Sequence, residues 1–123
     1  MLPLPTSPEG RPQQYIRRFA RHRCSRAMRV RFQRNNAESL LKGRCTVISE
    51  GGFEALVSGE LPPGRMVTIE FHLDGVAAPI PLSARVINQH GFTYGFQFIA
   101  PGALQRSIIA DFFYEELHSE PLG

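Results

Sequence analysis

Residues 43–57, GRCTVISEGGFEALV, contain the pattern that decides the fold. Two short runs rich in β-branched and apolar residues, GRCTVIS (43–49) and GFEALV (52–57), are split by only Glu50 and Gly51 within the turn-forming stretch SEGG. Short strands separated by so few residues read as a β-hairpin, with glycine expected to supply the positive φ that a tight turn demands.

The same grammar repeats outward from this hairpin. Before it, MRVRF (28–32) alternates with a period of two, so Met28, Val30 and Phe32 face a core while Arg29 and Arg31 face water. After it come RMVTIEFHL (65–73), IPLSARVI (80–87) and FTYGFQFI (92–99), divided by the turn-rich stretches LPPG (61–64), LDGVAAP (73–79) and NQHG (88–91). Six short antiparallel strands with tight connections predict a mainly β protein, either a six-stranded antiparallel barrel or a closed sandwich. Beyond Pro101 and Gly102 the period changes: Leu104, Ile108 and Phe112, with Ile109, Phe113 and Leu117, recur every four residues and predict a C-terminal helix over 103–117 that covers part of the barrel. Phe112 and Phe113 are read as core residues of that contact.

The 123 residues suffice for one domain. Residues 1–14, rich in Pro, Gly, Ser and Gln, read as a tail, and 119–123 as another; the domain spans 15–118, with a basic arm at 15–26 and the barrel at 27–99. The first ten residues lack a charged start followed by a continuous apolar run, and nowhere do eighteen apolar residues follow one another. A soluble, cytoplasmic protein without a membrane span is the expectation.

Charge is distributed unevenly. The net value is +3, yet residues 1–34 carry nine arginines against Glu9 alone, a balance of +8, while the rest of the chain stands at −5. Such asymmetry points to an anionic partner met by the N-terminal segment. Cys24 and Cys45 make neither a disulfide framework nor a zinc motif, and a reducing compartment is the simpler reading. The arginines around Cys24 would lower its thiol pKa and make it reactive, but a plain small side chain is the preferred reading. The four histidines lie in different elements without suggestive partners. No nucleophile with base and orienter, phosphate-binding loop or dinucleotide fingerprint is present, which argues against an enzyme and against a bound metal or cofactor.

Two features combine into a candidate site. Arg17-x-x-x-Arg21, with Arg18 beside it, places planar guanidinium forks suited to phosphates and to the O6/N7 edge of guanine. Ser49-x-x-Gly52 offers a hydroxyl and backbone N–H groups in the hairpin. With RRFAR at 17–21, the strand MRVRF, VISEGG at 47–52 and GFQF at 95–98, the chain resembles the PilZ domain family of bacterial cyclic di-GMP receptors over residues 17 to about 117. The resemblance implies a six-stranded barrel with the messenger on its outer face. It further implies that Arg17 and Arg21 clamp phosphate and guanine edges, that Arg18 adds a phosphate contact, that Ser49 hydrogen-bonds the ligand and that Gly52 admits it closely.

One position departs from the family pattern [D/N]xSxxG: its opening acidic or amide residue is Val47 here. In the family that side chain accepts from the guanine N1–H and N2–H₂ edge, and leaving those donors unpaired costs about 1–3 kcal/mol, or one to two decades of affinity. Two readings follow. The chain is a cyclic di-GMP receptor that signals to a downstream protein partner, its arginine segment ordering around the ligand, or it is a degenerate domain that no longer binds the messenger and serves as a protein-interaction adaptor. Nucleic-acid binding ranks last, because only Tyr15 and Phe19 supply aromatic surface near the arginines.

Overall fold

The structure, a computed structural model, describes residues 19–72, 80–99 and 102–122. Six antiparallel strands, β1 (His22–Arg34), β2 (Ala37–Ile48), β3 (Gly52–Val57), β4 (Met66–Phe71), β5 (Ile80–His90) and β6 (Thr93–Phe98), close into a barrel in the order β1-β2-β3-β6-β5-β4. Closure runs through β1 and β4, with Val30 opposite Ile69. The expected barrel and its six strands are present; the turn stretch 73–79 lies outside the described residues.

The first hairpin is longer than the sequence pattern implied. β1 begins at His22, so the last five residues of the presumed arm are strand, and β2 begins at Ala37 rather than Gly43. Asn35 and Asn36, at φ 53° and 63°, turn the chain between Arg34 and Ala37. Two successive positive φ angles make the turn whose twist matches that of paired strands, and asparagine tolerates that region better than most residues.

Met28, Val30 and Phe32 point inward as their alternation requires, joined by Ile48, Phe53, Ile69, Val86 and Phe96. Aromatic contacts run through this core: Phe53 stacks on Phe96 at 4.6 Å between centroids and meets Phe71 edge-on at 5.3 Å. The buried Tyr94 hydroxyl accepts a hydrogen bond from the Leu61 N–H (3.1 Å), which satisfies the polar end of an otherwise apolar side chain. On the outer face, Arg29 and Arg31 are not simply solvated. Both reach the carboxylate of Glu70 across the closing seam, at 2.9 and 2.5 Å, and Glu70 is only 6% exposed. Their charge compensates a buried acid instead of extending the positive field of the arm.

The C-terminal helix is present but broken at Phe113 into α1 (Ala103–Phe112) and α2 (Tyr114–Leu117). Ile109 and Phe113 enter the core, and Phe113 packs edge-on to Phe71 at 4.9 Å. Ile108, Phe112 and Leu117 pack against the same cluster, whereas Leu104 is exposed. Arg26 fastens the helices to β1: its Nε donates to Glu116 Oε2 (2.7 Å), its Nη2 to the Phe112 carbonyl (2.9 Å), and its guanidinium lies over the Phe113 ring. A second tie joins the Leu122 N–H to the Arg21 carbonyl at 2.7 Å.

Candidate ligand-binding site

A cleft of about 660 Å³ opens on the outer face around the β2–β3 hairpin. Its walls include Phe19, Arg21, Val47, Ser49, Glu54 and Asn88. Irregularities of pairing explain why these side chains face outward together. Strict alternation from the inward Cys45 would also turn Val47 inward, but the β2–β3 register jumps from Cys45 opposite Ala55 to Val47 opposite Glu54. The extra residue places Val47 and Glu54 on the cleft side and returns Ile48 to the core beside Phe53. A second irregularity between Val86 and Asn88 brings Asn88 out opposite Gly95, and a third lies in β1 between Arg23 and Arg26. The bulges in β2 and β5 thus flank one site, each re-aiming a side chain, Val47 or Asn88, that simple period-two reading misplaces.

The hairpin itself is built around Ser49. Its hydroxyl donates to the Gly52 carbonyl (3.1 Å) and accepts from the N–H groups of Gly51 and Gly52 (3.2 Å each), so its proton and both lone pairs are engaged. Contrary to the expectation for this turn, neither Gly51 nor Gly52 has a positive φ. Their necessity is steric: a Cβ at Gly52 would lie 2.1 Å from the Phe96 carbonyl oxygen, and one at Gly51 would lie 2.7 Å from the Phe19 ring. Ser49 closes the turn by hydrogen bonds, and the two glycines admit a neighbouring strand on one side and an aromatic ring on the other.

Of the arginines singled out from the sequence, Arg17 and Arg18 lie outside the described residues. Arg21 lines the cleft, where its Nη2 meets Glu54 Oε2 at 2.5 Å. Both partners keep solvent contact, at 27% and 39% of their side-chain surface, so the pair is reachable by a ligand. Val47 forms an apolar patch beside it. Arg21, Ser49, Gly52 and Val47 are therefore brought together around one cleft.

The residues that sequence reasoning passed over are Glu54, Asn88, Gln97 and Ile87. Glu54 was accessible in principle, since it stands two residues from Gly52 and so shares its face of β3. Asn88 depended on the bulge in β5, which no residue pattern announces, whereas Ile87 faces outward by simple alternation from Val86. Phe19, 38% exposed, and Ile87, 54% exposed, add apolar surface to the polar set. An arginine, a carboxylate, two amides and an aromatic ring in one open cleft suit a planar heteroaromatic ligand carrying both donors and acceptors. Among the described residues no group of three or more His, Cys, Asp or Glu side chains is placed to hold a metal ion, and no helix is long and apolar enough to cross a membrane.

Solved structures share this architecture. The PilZ domain of YcgR from Escherichia coli, determined with c-di-GMP, superposes with a TM-score of 0.65 at 18% identity, covering 81% of this chain and 90% of that one. The PilZ domain of CeSA from a cellulose-synthesizing bacterium gives 0.61 at 22% identity, covering 78% and 97%. YcgR from Escherichia coli in complex with c-di-GMP gives 0.61 at 20% identity, covering 80% of this chain and 45% of that one. At these identities the likeness is one of fold. No curated protein matches the sequence. The sequence profile of the PilZ domain, however, matches residues 15–115, which takes in the arm, all six strands and the helix that caps them. The chain belongs to the PilZ domain family.

Proposed function

We propose that this PilZ domain is a receptor for cyclic di-GMP and that Glu54 supplies the acceptor missing at Val47. The observation that carries the proposal is the Arg21–Glu54 pair in the cleft beside the hairpin. Guanine presents acceptors at O6 and N7 and donors at N1–H and N2–H₂. A guanidinium matches the first edge and a carboxylate the second. In the free protein the two side chains satisfy each other. A guanine entering between them exchanges one partly solvated ion pair for two polar contacts of its own, with Phe19 available to pack on the base plane. Arg17 and Arg18 are assigned to the phosphates, Ser49 to holding the hairpin and to meeting the ligand by exchanging its bond to the Gly52 carbonyl, and Gly52 to close approach of the backbone.

Relay to a protein partner would start at Arg21. Its carbonyl accepts from Leu122 N–H, and Arg26, five residues on, holds Glu116 and Phe112. A displacement of the Arg21 side chain toward ligand would act on the C-terminal segment through these bonds, and a partner reading that segment would sense occupancy. No bond of the ligand is made or broken in this role.

Titration calorimetry with cyclic di-GMP tests the proposal. Saturable binding that is lost in Arg21→Ala is expected. A second reading, the adaptor without ligand, draws on Val47 and on the neutralisation of Arg21 by Glu54. Absence of heat at millimolar ligand, with the protein folded, would favour it and reject the receptor.

A further inference from the structure

Cys24 and Cys45 lie on adjacent strands with their sulfurs 3.1 Å apart, both as free thiols. In sequence they are twenty-one residues apart and resemble nothing in particular. The bulge between Arg23 and Arg26 brings them together: Cys24 and Ser25 oppose the single residue Thr46, which lets the Cys24 side chain lean toward the inward-pointing Cys45. The two thiols differ in exposure. Cys45 is completely buried, and Cys24 is partly open to solvent.

We infer that Cys24 and Cys45 form a redox-active dithiol in which a hydroperoxide oxidises Cys24 and Cys45 resolves it to an intramolecular disulfide. The thiolate of Cys24 attacks the peroxide, so an S–O bond forms as the O–O bond breaks, and the departing oxygen takes a proton to leave as water or an alcohol. Cys24 is then a sulfenic acid, oxidised by two electrons. The Cys45 thiol next gives up its proton and attacks the Cys24 sulfur. The S–S bond forms, the S–O bond breaks, and hydroxide leaves with that proton as a second water. Two thiols and one hydroperoxide thereby give one disulfide, one water and one further water or alcohol.

Geometry favours each step. A disulfide bond measures about 2.05 Å, so the sulfurs need approach by only about 1 Å, within reach of side-chain rotation on neighbouring strands. Only Cys24 can meet an oxidant from solvent. Its thiol is held below the usual thiol range, chiefly by hydrogen bonding with Cys45 and further by Arg26, against the opposing effects of burial and Glu116. The Cys45 thiol is raised, by the same hydrogen bond and by burial, so it keeps its proton while Cys24 loses one. Cys45 Sγ also lies 3.5 Å from the Val47 carbonyl, an alternative acceptor for that proton's S–H while Cys24 is still protonated.

The test uses the purified full chain, hydrogen peroxide, thiol counting after denaturation, and peptide mapping without reductant. Expected are the joint loss of both thiols, a Cys24–Cys45 linked peptide and complete reversal by dithiothreitol. In Cys45→Ser the reaction should stop at a sulfenic acid on Cys24 that dimedone captures. In Cys24→Ser, a substitution at the partly open site, loss of the Cys45 thiol should slow by about tenfold or more. Three results would overturn the inference: over-oxidation of Cys24 with Cys45 still a thiol, a disulfide joining two copies through Cys24, or unchanged peroxide sensitivity of Cys24→Ser.

Discussion

Glu54 stands directly opposite Val47 in the β2–β3 register, and its carboxylate holds Arg21 at 2.5 Å. The acceptor absent from the hairpin motif is therefore available one strand away, already engaged with the arginine that the motif requires. In the proposed receptor role, guanine binding then depends on Glu54. Glu54→Gln is expected to weaken cyclic di-GMP binding by roughly 10- to 100-fold, the equivalent of about 1–3 kcal/mol for the guanine donors left with a poorer partner. Adding Val47→Asp to Glu54→Gln should recover most of the loss, because it returns a carboxylate to the same face. Titration calorimetry of the two variants checks both statements, and a double variant no better than Glu54→Gln would remove Glu54 from the site.

Gly52 tests the packing of the hairpin apart from any ligand. A methyl group there would collide with the Phe96 carbonyl, and backbone in the middle of a closed barrel has little room to retreat. Gly52→Ala is expected to destabilise the protein by about 1–3 kcal/mol or more, read from urea unfolding. Gly51→Ala meets only the Phe19 ring, a side chain that can swing away, and should cost less.

Arg26 and Glu116 predict an acid-sensitive attachment of the helices. Burial would raise the Glu116 carboxyl, but hydrogen bonds from Arg26, a backbone hydrogen bond and the Arg26 charge bring it below the ordinary value of 4.5. A carboxyl lowered on folding stabilises the native state fully above its unfolded pKa, and that contribution is lost as pH falls through the folded value. Glu116→Gln should thus be less stable than the parent at neutral pH, by about 1–3 kcal/mol, with the difference shrinking as the solution is acidified below the ordinary carboxyl range. Chemical denaturation across pH measures the gap. A gap that widens toward acid would contradict the assignment.

The Asn35-Asn36 turn offers a stabilising change. Both residues hold positive φ, a conformation that glycine adopts without steric cost. Asn36→Gly creates the Asn-Gly pair preferred in such turns and is expected to raise stability by about 0.5–1 kcal/mol, seen as a higher melting temperature. A lower melting temperature would show that the Asn36 side chain contributes more than its backbone conformation costs.

Most of the barrel was legible because inward residues recur every second position: Met28, Val30 and Phe32, or Tyr94, Phe96 and Phe98, announce their face without tertiary information. Ala37–Lys42 was not legible as strand, since it extends the first hairpin largely into solvent and shows no apolar alternation. The helix stripe was read correctly at Ile109 and Phe113 but over-extended at Leu104, which finds no core to enter. In the candidate site, Arg21, Ser49 and Gly52 were singled out through the resemblance to the family's motifs, and the structure places them on one cleft. Glu54, though its outward face followed from alternation, gave no sign of meeting Arg21, and Asn88 was hidden because its placement depends on a bulge. The Cys24–Cys45 contact was hidden for the same reason: it is created by one unpaired residue in β1.

The added residue in β2 has a broader consequence. Were the intact strand to pair without the bulge, Thr46 would stand opposite Glu54, Val47 would turn toward Phe53, and Ile48 would meet Gly52. Such a slip would invert the phase of the strand beyond Cys45, exposing Ile48 and emptying one wall of the cleft while leaving every named side chain of the motif in the sequence. The site behaves like a reading frame, kept open by the length of the strand as much as by the residues written in it.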